Sequence, residues 1–100
     1  MRITDYIKEF CEKYDEYELY ENYAGRGMAG AKCLGIVVEQ GNSGLDMLEK
    51  LSMYLTEQDA ENMILELAEM SADTYGLDTI IYFPKIRNFN DKESEGMLWK

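Results

Sequence analysis

Apolar residues recur at helical spacing from the start of the chain: Ile7, Phe10, Cys11 and Tyr14 follow Thr4, a candidate N-cap. The opposite side carries Asp5, Glu9, Glu12 and Glu16, which predicts an amphipathic helix over 4–15. Residues 17–23, rich in Tyr, suit a strand with Tyr17, Leu19 and Tyr23 on one face and Glu18 and Tyr20 on the other. Three glycines in residues 24–31 mark a hairpin tip, and the near-continuous apolar run 33–38 reads as a central strand. Ser43 with Asp46 resembles a capping box, and Leu45, Leu48, Leu51 and Leu55 trace a second helix over 44–55.

Thr56 and Asp59 repeat that start signal, and Gly76 supplies a helix stop. The spacing therefore predicts a third helix over 57–74 that buries Ala60, Ile64, Leu67 and Ser71. Residues 79–83 form the last strand, closed by Pro84. The resulting order is α-β-β-α-α-β, an α+β domain over 1–85 whose helices pack on one face of a small three-stranded sheet, expected antiparallel. Residues 86–100 read as a polar C-terminal tail, with Met97, Leu98 and Trp99 as a docking spot.

A chain of 100 residues has room for one core, and its 46% hydrophobic content supplies the material for it. Twenty acids against ten bases give a formal charge of −10, which disfavours direct contact with nucleic acid or anionic lipid. No secretory leader and no apolar run of about 20 residues is visible, so a cytoplasmic location is expected. Cys11 and Cys33 lack metal or redox spacing and read as buried, reduced thiols.

Histidine is absent, which removes the commonest general base and the commonest metal ligand. No cofactor, metal site or catalytic set is expected, and the protein reads as a non-enzyme. The Gly25–Gly30 loop with Arg26 could cradle a phosphate, but it precedes a strand instead of opening a helix, and it lacks Gly-Lys-Ser/Thr. Arg26 is nevertheless the cation expected to be exposed for contact, alongside Tyr20 as an interface anchor.

Between Lys50 and Lys85 there are seven acids and no base. On a helix rising about 1.5 Å per residue, Asp59, Asn62, Glu66, Glu69 and Asp73 would recur at three- and four-residue steps of about 5 Å, so the acids among them would come within about twofold of the phosphate spacing of a DNA strand. Asp5, Glu9 and Glu12 would form a second patch. These stripes predict a binding protein that offers nucleic-acid-like charge to a basic partner, such as a nucleic-acid-binding enzyme that it blocks. Small size, acidity and lack of His are also similar to phage or mobile-element proteins that inhibit host nucleic-acid enzymes, anti-CRISPR proteins among them. That likeness is one of composition, and no residue roles are carried over from it. Two alternatives stay open: a self-associating module using Met63, Met70 and Trp99, and a phosphate-binding domain using the glycine loop.

Overall fold

A computed structural model of the chain describes residues 2–24 and 32–86. The described residues form α1 (Ile3–Lys13), β1 (Tyr17–Tyr23), β2 (Cys33–Val38), α2 (Gly44–Glu57), a 3₁₀ helix (Glu61–Leu67), β3 (Ser71–Tyr75) and β4 (Asp78–Phe83). The four strands make one antiparallel sheet in the order β1-β2-β4-β3. The α+β class matches expectation. The strand count and the element order do not, because the segment expected as a third helix holds a 3₁₀ turn and an extra strand.

The break in that segment has a local cause. Thr56, expected to start a helix, lies in the last turn of α2, where its hydroxyl donates to the Ser52 carbonyl at 3.1 Å. Asp59 then takes a left-handed conformation, φ 63°. Its N–H bonds to the Thr56 carbonyl at 3.1 Å, and the Ala60 N–H bonds to the Leu55 carbonyl at 2.8 Å. This pair of bonds is a Schellman stop, with Asp59 where glycine usually sits and Ala60 buried behind it. The chain cannot continue as a helix through that turn. Gly76, expected to stop a helix, has φ 67° and opens the two-residue turn between β3 and β4.

The other helix ends are ordinary. The Ser43 hydroxyl accepts from the Leu45 and Asp46 N–H groups, capping α2 as expected. Helix α1 starts a residue earlier than expected, so Thr4 lies inside it and is buried, while Asp5 accepts from the Arg2 N–H at 3.0 Å.

Both faces of the sheet are buried. On one side Ile3, Ile7 and Phe10 of α1 and Met47, Leu51 and Leu55 of α2 pack on Leu34, Ile36, Val38, Ile81 and Phe83. Phe10 lies among Tyr14, Tyr17 and Tyr54 at centroid distances of 4.9, 5.8 and 6.0 Å, tying α1, β1 and α2 together. On the second side Cys33, Val37, Ile80 and Tyr82 form a smaller cluster, with Tyr20 and Tyr23 packed against it. Alternation alone would put Tyr23 with Tyr17. However, the β1–β2 register slips by one residue between Tyr20 and Tyr23, and this bulge turns Tyr23 to the second side, where alternation already places Tyr20. Tyr20 is consequently half-buried at 5.4 Å from the Tyr23 ring, not the exposed residue expected.

Ile86 is also part of the core: it is buried, and its carbonyl accepts from the Leu34 N–H at 2.9 Å. The glycine loop 25–30, Arg26 and the tail from 87 onward lie outside the described residues.

The Schellman geometry makes a prediction. Asp59→Gly should raise unfolding stability by about 0.5–1 kcal/mol, because it relieves the left-handed strain and removes a negative charge from a helix C-terminus. Asp59→Val should lower it by about 1 kcal/mol or more. Urea denaturation of the two variants checks both signs.

Candidate functional site

The expected acidic stripe does not exist as a stripe. Asp59 is the left-handed residue that ends α2, Glu66 is on the 3₁₀ helix, Glu69 is in the bend after it, and Asp73 is on β3. Two of the four are engaged: Glu69 pairs with Lys85 at 3.5 Å, and Asp73 accepts from the Tyr23 hydroxyl, which reaches across the second sheet face. The even helical spacing that resembled a phosphate backbone is therefore absent.

The second patch is similarly dismantled. Asp5 accepts from a backbone N–H, Glu9 accepts from the Tyr54 hydroxyl at 2.9 Å, and only Glu12 stands fully exposed without such a hydrogen bond. The bases of this side are also committed. Lys8 pairs with Glu21 at 3.3 Å, Lys13 with Glu57 at 3.9 Å, and Lys50 with Glu16 at 3.4 Å. Lys50 further lies 5.5 Å from the Tyr17 ring centroid, and contact with Tyr17 first and Glu16 second raises its pKa.

What the fold brings together instead is a ledge running from the end of α2 to β3. Asp59, Glu61 and Glu66 are exposed on it and make no ion pair among the described residues. Leu65 projects beside them at 81% exposure, and Met70 follows at 38%. In a 3₁₀ helix residues three apart are eclipsed, so Asn62 and Leu65 form one outward ridge while Leu67 turns into the core. Leu65 was missed because a continuous helix would have placed it among polar neighbours of no evident use. The adjacent pair Ile64-Leu65, one half-buried and one exposed, was the available signal.

The described residues also include an open cleft of about 590 Å³, lined by Glu39, Gln40, Gly76, Leu77 and Asp78. The Gln40 N–H donates to Asp78 Oδ1 at 3.1 Å across its floor. Its two carboxylates and lack of a base make it hostile to phosphate. No group of three His, Cys, Asp or Glu among the described residues could hold a metal ion. Met63, expected at a self-association surface, is instead packed against the helix-side core.

The thiols are poor nucleophiles here. Cys33 is fully buried, and burial pushes the Cys11 thiol up to about 12. No helix among the described residues is long and apolar enough to cross a membrane. Comparison of the chain with protein-family models, with curated proteins and with solved structures found no match. Fold and surface therefore define only a class: an α+β protein with a four-stranded antiparallel sheet and an acidic, apolar-studded ledge.

Two measurements follow from this geometry. Burial first, and Glu9 second, raise the Tyr54 hydroxyl from 10.0 to about 12. The folded state thus holds this proton more tightly than the unfolded chain. The contribution is complete below pH 10.0 and is lost as pH climbs toward about 12. Tyr54→Phe should cost about 0.5–1.5 kcal/mol at neutral pH and flatten the alkaline loss of stability, as read by urea titrations across that range. Alkylation of native Cys11 at pH 8 should run at least about a hundredfold slower than in the unfolded chain, because little thiolate is present.

Proposed function

We propose that this protein acts by binding and not by catalysis, and that its acidic ledge receives a basic protein partner. The observation that carries this reading is the exposure of Leu65 amid Asp59, Glu61 and Glu66, with no base to neutralise those three carboxylates among the described residues. An exposed apolar side chain on a short segment that also carries three unpaired like charges suits an interface anchor with a charged rim. The carboxylates would steer a cationic surface inward, and Leu65 would supply the desolvated contact.

A nucleic-acid-binding enzyme offers the strongest cationic surface of this kind, so inhibition by occupying its groove is the favoured role. The attraction in this version comes from the net field of the ledge. It does not need a copy of phosphate spacing.

The test begins with the partner recovered by the tagged protein from its native cells, then measured by calorimetry with purified components. Replacing Asp59, Glu61 and Glu66 with Asn, Gln and Gln should weaken binding by about tenfold or more at low ionic strength and reduce its salt dependence. Leu65→Ser should weaken it with the salt dependence unchanged. Unaltered affinity in both variants would sink the reading.

A further inference from the structure

The two edges of the sheet differ. Edge strand β1 carries a bulge, and its Glu21 is held by Lys8 of α1. Such irregularities and charges are how edges resist added strands. Edge strand β3, Ser71-Ala72-Asp73-Thr74-Tyr75, has a regular register, no proline and no lysine.

The two-residue turn at Gly76-Leu77 makes Tyr75 and Asp78 a hydrogen-bonded pair, so residues 71, 73 and 75 bond inward to β4. The backbone N–H and C=O groups of Ala72 and Thr74 point outward. Both residues are exposed, and no backbone partner meets them on that side among the described residues. Their side chains fall on the helix side of the sheet, opposite Ile81 and Thr79, where no helix among the described residues covers them. Exposed Met70 and Leu77, the latter at 79%, flank the two ends of the strand.

We infer that β3 is a strand-addition site, and that its occupant is an extended, lysine- or arginine-bearing segment of another protein. This rests on the basic-partner reading above and gives it a binding mode. Main-chain bonds to Ala72 and Thr74 supply the register, and Met70 and Leu77 supply apolar ends. Charge selects the occupant: Glu66, which makes no ion pair among the described residues, precedes the strand, and Asp78 follows it. A second copy of this chain fits poorly. The antiparallel register that uses both outward residues, Ala72 opposite Thr74, sets Asp73 against Asp73 of the other copy, and each copy brings the full charge of −10.

The full chain, labelled with ¹⁵N, is titrated with three capped octapeptides: alternating Lys-Val, the same peptide N-methylated at every residue, and alternating Thr-Val. The Lys-Val peptide should bind and slow amide exchange at Ala72 and Thr74 by about tenfold or more. The methylated peptide, equal in charge but unable to complete the ladder, should give no such protection. Thr74→Pro, which removes an outward N–H that the fold does not use, should abolish protection while leaving β2 amide shifts in place. Equal, salt-sensitive binding of the first two peptides without protection overturns strand addition and leaves the basic-partner reading standing. Equal protection by Thr-Val and Lys-Val peptides overturns the basic occupant and leaves the edge as a docking site. No binding by any peptide overturns the inference outright. A dimer in sedimentation that Thr74→Pro dissociates overturns it in favour of a second copy.

Discussion

The burial of β2 on both faces is the constraint that the rest of the fold answers. All six residues from Cys33 to Val38 are buried, so the sheet needs a cover on each side. Helices α1 and α2 provide one cover. Among the described residues no second helical layer provides the other, and side chains of the strands themselves do it. Tyr20 and Tyr23 take that role. Gly35, which lies between them and Tyr82, leaves the room: a Cβ there would come within 3.1 Å of Ile80.

This arrangement depends on one irregularity. Without the bulge in β1, Tyr23 would point toward the helices, and the second face would lose the Tyr23 ring and its tether to Asp73. The tether joins opposite edges of the sheet, since β1 and β3 are separated by β2 and β4. A carboxylate that the sequence suggests as solvent-facing charge is thus an acceptor inside the scaffold. The same is true of Glu9 under Tyr54. Two of the acids that made the surface look uniformly negative are hydrogen-bond acceptors within the fold.

Much of the fold was legible in the sequence. The apolar runs of α1, β2, α2 and β4 have one reading each, and Ser43 caps α2 as its side chain suggests. The segment 57–74 was not legible, for a physical reason. Ala60, Ile64, Leu67 and Ser71 fit a helical repeat, while Ser71–Tyr75 lacks the β-branched density of a strand. What decides the matter is pairing with β4, a contact no local pattern carries, together with a left-handed Asp59 that only a minority of aspartates adopt. The candidate site shared this fate. Its acids could be read off the chain, but their grouping depended on a helix that the tertiary structure replaces, and Leu65 became conspicuous only once the helix was gone.

The bases explain why the ledge stands out. Lys8, Lys13 and Lys50 all serve the junction of α1, β1 and α2, where each meets a carboxylate, and two of them also lie over tyrosine rings. On the far side only Lys85, among the described residues, reaches an acid, Glu69. Surface pairs of this kind contribute little stability each, about 0–1 kcal/mol. Their placement is therefore weakly constrained by folding and strongly consequential for the external field. A chain that needed only solubility could spread ten bases among twenty acids in any order. Here the pairs cancel charge where the helices and β1 meet and leave it uncancelled beside an exposed leucine and an open strand edge. A cationic strand approaching the molecule meets attraction, an apolar foothold and unused backbone donors on the same side, and those three features together underlie the proposed binding mode.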